Sequence, residues 1–285
     1  MRSPAKRRAL AKKAVEKHGL SERRACRLVQ LQRSSYRYQA RPRDDSAVIE
    51  VLQRLAETHR RWGFDKMMHW LRSHGYRWNH KRVRRVYREM GLHLCIKPKK
   101  RLPARHPQPL TEPEAANISW SMDFMSDSLV SGRRFRTLNI IDDFNRECLA
   151  IEIDTSLPSQ RVIRVLERLC ALRGYPKRLR TDNGPEFLAD KIDRWARQHG
   201  IHWDFIEPGS PAQNAYIERF NRTYREDVLD AYLFLTLKEA RTITANWMPV
   251  YNEERPHAAL DGFAPIQFAK KTNHGRMSNS HRPGV

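Results

Sequence analysis

Between Ile96 and Asn117 the chain carries five prolines, Pro98, Pro103, Pro107, Pro109 and Pro113, beside a Lys-Pro-Lys-Lys-Arg cluster. Each proline fixes φ and removes a backbone donor, so neither a helix nor an inner strand runs through such a stretch. The composition predicts an extended, semi-rigid basic linker over 96–117, with separately folded parts on either side. Charge divides at nearly the same place. Residues 1–110 hold 30 Lys and Arg against 8 Asp and Glu, whereas residues 111–285 hold 24 of each. The whole formal excess of +22 therefore sits in the first part. An excess so confined implies a polyanionic partner, and nucleic acid is the expected one.

Other classes are set aside by what is missing from the pattern. Cys26, Cys95, Cys148 and Cys170 are scattered, with no close pair of the kind a metal clip or a disulfide framework uses. Free thiols in a reducing cytosol are the expectation. No apolar run approaches the roughly 20 residues of a membrane helix. The basic N-terminus lacks the apolar segment of a signal peptide. A cytoplasmic, nucleoid-associated bacterial protein with no membrane partner is expected.

Before the linker the spacing is helical. Residues 1–45 read as a basic helical segment in which Ser21 caps a helix to about Leu28 and a second starts near Ser34. Two short helices with a four-residue break fit a helix-turn-helix or a plain helical hairpin, and the spacing does not choose. Residues 46–95 give a clearer unit of three helices, broken at Gly63, closed at Gly75, capped by Asn79 and ended at Gly91. In the third, Val83, Val86, Tyr87 and Met90 share one face. Lys81, Arg82, Arg84, Arg85 and Arg88 spread over the rest with a single acid, Glu89. Like charges so arranged repel unless phosphates neutralise them, which points these five side chains at DNA.

After the linker the pattern turns to strands, in the order βββαβαβα, with a long last helix over about Gln213 to Leu229. This predicts an α/β domain over 118–268, a mixed five-stranded sheet with helices on its faces. Residues 269–285 are expected as a flexible tail. Within the domain three carboxylates occupy unusual positions. Asp123 interrupts an apolar strand, Asp182 ends the fourth strand, and Glu218 lies in the last helix. An acid inside a strand costs free energy unless it is paired or binds a cation. Three such acids brought together repel one another unless a divalent metal neutralises them. Taken singly, each has an ordinary reading: Asp182-Asn183-Gly184 as a turn, Glu218 as a helix-surface residue. Asp142 and Asp143 read as ordinary strand-end acids.

Taken together, the strand WSMDFM, the segment TDNGPEF and the helix SPAQNAYIERFNRTYRE resemble the transposases of the insertion sequence three family, second-frame type, whose core is similar to retroviral integrase. Asp182 and Glu218 are separated by the 35 residues this group shows. Upstream, HRRWGFDKMMHWLRSHGYRWNHKRVRRVYREMGL resembles the family's second helix-turn-helix, and downstream YNEERPHAALDGFAP resembles the segment closing the core. The likeness spans roughly 20–268.

The resemblance implies a ribonuclease-H-like fold with Asp123, Asp182 and Glu218 as catalytic triad and metal ligands. It implies two Mg²⁺ or Mn²⁺ ions, a water or DNA 3′-OH as nucleophile, and no covalent enzyme intermediate. Arg225, two helical turns beyond Glu218, would approach a DNA phosphate. Asn214 would hold the glutamate or touch DNA, with Asn183 and Glu186 shaping the loop around Asp182. His59 and His69 lack the cysteine pair of the integrase zinc module, so no zinc is expected. The family also implies an upstream-frame protein, or fusion with it, and a homo-oligomer on DNA. The expected function is cleavage at element ends and strand transfer. The alternatives are a DNA-binding regulator with a dead core, and a nuclease of RNA–DNA hybrids on the same fold.

Overall fold

The computed structural model describes residues 3–39, 44–94, 112–187, 189–207 and 211–279. The chain forms two compact units, residues 1–47 and 48–285.

The first unit holds α1 (Pro4–His18), α2 (Glu22–Leu28) and α3 (Arg33–Arg37). Ser3 caps α1 by accepting from the Lys6 amide at 3.4 Å, and Gly19, at φ +60, ends it. Its interior is made of small side chains, Ala11, Ala25 and Cys26. Polar ties supplement them: Arg8 Nε donates to the Ser35 carbonyl at 2.9 Å, and Arg37 pairs with Glu22 at 2.6 Å.

The second unit opens with α4 (Ser46–Thr58), α5 (Phe64–Ser73) and α6 (His80–Glu89). Asn79 caps α6, accepting from the Lys81 amide at 2.8 Å. Val83, Val86 and Tyr87 of α6 are buried against Leu52, Leu55, Met67 and Leu71. That face is the one the i, i+3, i+4 spacing marks. The proline-rich stretch falls almost wholly in 95–111, outside the described residues. Both these helices and the sheet domain fall within the second compact unit.

The sheet contains β1 (Ser119–Ser128), β2 (Arg134–Asp142), β3 (Cys148–Asp154), β4 (Arg178–Thr181) and β5 (His202–Phe205). Their order is β3-β2-β1-β4-β5. The first three pair antiparallel, and β1–β4 and β4–β5 pair parallel. Helices α7 (Ser159–Arg173) and α8 (Asp190–Gln198) are the crossovers that parallel pairing needs. After β5 come a 3₁₀ turn, Pro211–Asn214, and α9 (Ala215–Tyr224), then α10 (Leu237–Pro249) and α11 (Pro265–Asn279).

Side chains alternate across β1 and β2 with period two, and this builds two cores. Trp120, Met122, Leu138 and Ile140 face α7 and α8 residues such as Leu166 and Trp195. Phe135, Ile141 and Met125 face Ile217, Phe220 and Tyr224 of α9 and Tyr251. Trp120 and Phe135 have no exposed surface, and each contributes about 2–3 kcal/mol of apolar burial. Asp123 and Asn139 fall in the alternation on the α9 side.

Two expectations are corrected. The last long helix is not uniform. It begins as a 3₁₀ turn and ends in a π turn over Arg225–Leu229, closed by the Asp230 amide on the Arg225 carbonyl at 2.8 Å. The wider turn lets consecutive Val228 and Leu229 both be buried. The stretch expected as a tail continues α11 as far as Asn279, and 280–285 lie outside the described residues.

Candidate active site

Asp123 stands in the middle of β1, directly opposite Asn139 of β2 in the antiparallel register. Its Oδ1 accepts from the Phe124 amide at 2.7 Å, and its Oδ2 accepts from Asn221 Nδ2 of α9 at 2.7 Å. Asn221 Oδ1 in turn accepts from Asn139 Nδ2 at 2.6 Å. Asn139 is fully buried and Asn221 nearly so. Burial pushes the Asp123 carboxyl up to about 6. The negative charges of Asp182 and Glu218 push the same way, against the two hydrogen bonds. The fold thus brings the residue after β4 and a residue of α9 within electrostatic reach of Asp123 in β1.

Asp182 follows β4 and accepts from the Gly184 amide at 3.2 Å, which bends the chain into an Asx turn. Two residues on, Glu186 forms an ion pair with Arg136 of β2, and that pairing holds its carboxyl below the usual range. The Arg136 guanidinium lies 4.4 Å from the Phe124 ring centroid, and Phe124 stacks on Phe187 at 4.8 Å. The loop carrying Asp182 is therefore pinned to β1 and β2 by one ion pair and one aromatic stack. Glu218 is exposed at the start of α9. Hard carboxylate oxygens such as those of Asp123, Asp182 and Glu218 suit Mg²⁺ or Mn²⁺. No three acidic, His or Cys side chains among the described residues are already gathered into a metal cage.

Residues 113–211 and 199–265 each match a family model described as an integrase core domain, and 42–101 match an HTH-like domain. The chain is 42% identical to an uncharacterized 31.7 kDa protein of insertion element IS407 of Burkholderia multivorans, over 90% of this chain and 93% of that one. A 39.2 kDa protein of insertion element IS476 of Xanthomonas euvesicatoria is 38% identical, over 99% of this chain and 83% of the relative. The chain belongs to the insertion sequence three family of transposases, second-frame type. Its sheet domain has the ribonuclease-H-like fold of integrase cores. Among solved structures, the HTLV-2 integrase catalytic core domain in complex with magnesium aligns at a TM-score of 0.45 and 19% identity, covering 55% of this chain and 98% of that one.

In this transposase the other expected site residues lie as follows. Arg225 opens the π turn, where it donates to the Ser126 carbonyl at 3.0 Å and faces Asp127 at 3.6 Å and Asp230 at 3.8 Å. Its charge is thus shared among protein partners. Asn214 is buried at the N-terminal end of α9, its Oδ1 without a hydrogen bond among the described residues. Asn183 donates to the Ile206 carbonyl at 3.1 Å and so ties the Asp182 loop to the end of β5. On α6, Lys81, Arg84 and Arg88 are exposed. Arg84 lies 5.2 Å from the Phe64 ring centroid, and Arg85 pairs with Glu89 at 2.9 Å. Arg82 is half-buried on the same helix. His59 stacks on Trp62 at 3.7 Å, and burial with Arg255 nearby lowers it to about 4. His69 packs on Gly262 instead.

Asp142 and Asp143 hold the frame. Asp143 is wholly buried and accepts from Ser119 at 2.7 Å, Ser121 at 2.5 Å and Arg180 at 3.2 Å. Asp142 accepts from the Asn117 and Phe144 amides at 2.7 and 2.9 Å. Sequence reasoning missed Asn139, Asn221 and Arg136. The first had a signal, an amide inside the apolar run Leu138–Ile141, where burying a polar group is costly.

Proposed function

We propose that this transposase cuts and joins DNA by direct phosphoryl transfer, with Asp123, Asp182 and Glu218 as its acidic triad. The observation that carries the reading is the placement of Asp123, a carboxylate held by Asn221 and the Phe124 amide and raised to about 6 first by burial and then by the charges of Asp182 and Glu218. Acids that oppose one another's ionisation are a place where a divalent cation gains affinity. Those three side chains would hold two Mg²⁺ or Mn²⁺ ions. When bound there, such ions would supply activation of a hydroxyl and stabilisation of a leaving oxygen.

The protein's own residues do the remaining work. Asn221 and the Phe124 amide fix both oxygens of Asp123. The Arg136–Glu186 pair holds the Asp182 loop. In the joining step a DNA 3′-hydroxyl oxygen bonds to phosphorus, its proton passing to solvent. The bond from phosphorus to the leaving 3′-oxygen breaks, that oxygen takes a proton from solvent, and no bond to the protein forms. The basic face of α6, Lys81, Arg82, Arg84, Arg85 and Arg88, takes DNA phosphates, with Arg225 and Asn214 nearer the reacting strand. A homo-oligomer on DNA, an upstream-frame protein or fusion partner, and a bacterial cytoplasmic setting complete the reading.

Strand joining tests it, with labelled duplex ends of the parent element, Mg²⁺ or Mn²⁺, and Asp182→Asn as control. The chain alone and its fusion to the upstream frame are both assayed. Metal-dependent joined product that is absent with Asp182→Asn is expected from at least one form. Joining that persists in Asp182→Asn, or DNA binding without strand chemistry in both forms, overturns the reading.

A further inference from the structure

We propose that Asn139 is a positioning residue for Asp123, acting through Asn221, so that a buried pair of amides sets the orientation of a metal-binding carboxylate. The proposal rests on the reading of Asp123 as a metal ligand.

The argument is one of hydrogen-bond direction. An ionised carboxylate only accepts, so Asn221 must turn its NH₂ toward Asp123. Its carbonyl oxygen then points away and needs a donor. Asn139 supplies it at 2.6 Å, and the Asn221 NH₂ reaches Asp123 Oδ2 at 2.7 Å. With an acceptor or no polar group at 139, only the Asp123 carboxylate itself is left to keep the Asn221 amide from turning over. Turned over, its oxygen would face the carboxylate oxygen of Asp123. The donor at 139 thus opposes the wrong orientation from the side away from the site.

Two further observations set Asn139 apart from an ordinary packing residue. It has no exposed surface, and its own Oδ1 makes no hydrogen bond among the described residues. Leu138, Ile140 and Ile141 around it are fully buried, in a strand suited to branched apolar side chains. An unpaired oxygen there is a cost that packing alone does not explain. The register places Asn139 directly across from Asp123, and α9 brings Asn221 between them from 82 residues further along the chain. Groups that orient a metal-binding side chain affect metal affinity on the order of tenfold or more when removed.

The test measures Mn²⁺ binding by calorimetry on the full chain, alongside thermal unfolding without metal. The variants are Asn139→Leu, Asn139→Val, Asn221→Leu, the double Asn139→Leu/Asn221→Leu, and Asp123→Asn. Expected are loss of binding in Asp123→Asn and weakening of about tenfold in Asn139→Leu. The double variant should bind no more weakly than Asn221→Leu alone, because both substitutions break one relay. Unfolding midpoints of the Asn139 variants should stay at or above that of the parent. Asn139→Val replaces Asn139→Leu if the larger side chain prevents folding. Parent-like Mn²⁺ affinity in the Asn139 variants, or effects that multiply in the double variant, overturns the relay. Parent-like binding by Asp123→Asn instead overturns the assignment of Asp123 as a ligand, and the relay with it.

Discussion

The imidazole of His69 lies so close over the backbone of Gly262 that a β-carbon at 262 would fall 2.0 Å from Nδ1. Gly262 also has φ +79, a conformation that other residues adopt at a cost. Helix α5 therefore docks on the segment closing the core through a contact that only glycine permits. Gly262→Ala should destabilise the protein by about 2–3 kcal/mol, combining overlap with backbone strain. Adding His69→Ala should recover the overlap and leave about 1 kcal/mol of backbone strain. Urea unfolding of the two variants against the parent measures both parts. An unchanged midpoint in Gly262→Ala refutes the contact.

Acid should loosen the same region. Burial lowers His257 to about 3, with Arg255, Lys66, Arg146 and Arg219 adding repulsion. Its Nε2 is buried without a hydrogen bond among the described residues, although part of the residue remains exposed. The folded state resists protonation that the unfolded chain accepts near pH ~6.5. The stability His257 contributes is therefore complete above that pH and is lost as pH falls toward about 3. The slope is about 1.4 kcal/mol per pH unit at most. Asp142, raised to about 6 by burial, works in the opposite sense, since protonation there favours the folded state. Comparison with a variant isolates the histidine. His257→Phe, which keeps a ring 5.0 Å from Tyr251, should lose less stability between pH 7 and pH 5 than the parent. Parallel stability–pH curves for the two would dispose of the argument.

The exposed bases of α6 make a prediction about salt. Each phosphate neutralised contributes about 0.9 to the slope of log affinity against log salt. Replacing Lys81, Arg84 and Arg88 together by alanine should reduce that slope by about 2–3 and weaken binding to all sequences alike. The three side chains are exposed, so α6 itself should fold unchanged. Fluorescence anisotropy on a DNA duplex at several salt concentrations gives the slope, and an unaltered slope would place the DNA elsewhere.

Arg136 and Glu186 should affect chemistry more than stability. Their side chains are 32% and 21% exposed, so solvent screening keeps the pair's contribution below about 1 kcal/mol. Arg136→Ala nevertheless releases the loop that carries Asp182. Misplacement by a fraction of an ångström to an ångström is enough to slow an aligned phosphoryl transfer about tenfold or more. Hydrogen exchange in 182–187 should accelerate while strand joining falls and the unfolding midpoint stays near the parent's. A parent-like joining rate would show that the loop needs no such anchor.

The sequence by itself determined the helices α4 to α6, the order of strands and helices in the core and the face that α6 buries. Val83, Val86 and Tyr87 recur at helical spacing, and that local period reports which side of the helix turns from water; the alternation of Trp120 and Met122 in β1 emerged only with the sheet. The three acids stood out only together, through the resemblance of the segments that carry them; singly, Asp182 reads as part of a turn and Glu218 as a helix-surface residue. What met those acids was not legible. Asn221 is 98 residues from Asp123, and its role depends on α9 crossing the face of β1. Arg225, in phase with Glu218 on an ideal helix, is held at Ser126 and Asp127 beside the π turn. The fit of His69 to Gly262 joins segments almost 200 residues apart along the chain, a distance that follows from their numbers. Local period fixes a residue's face, but hydrogen-bond and charge partners are set by packing between distant elements, and only the tertiary structure decides those.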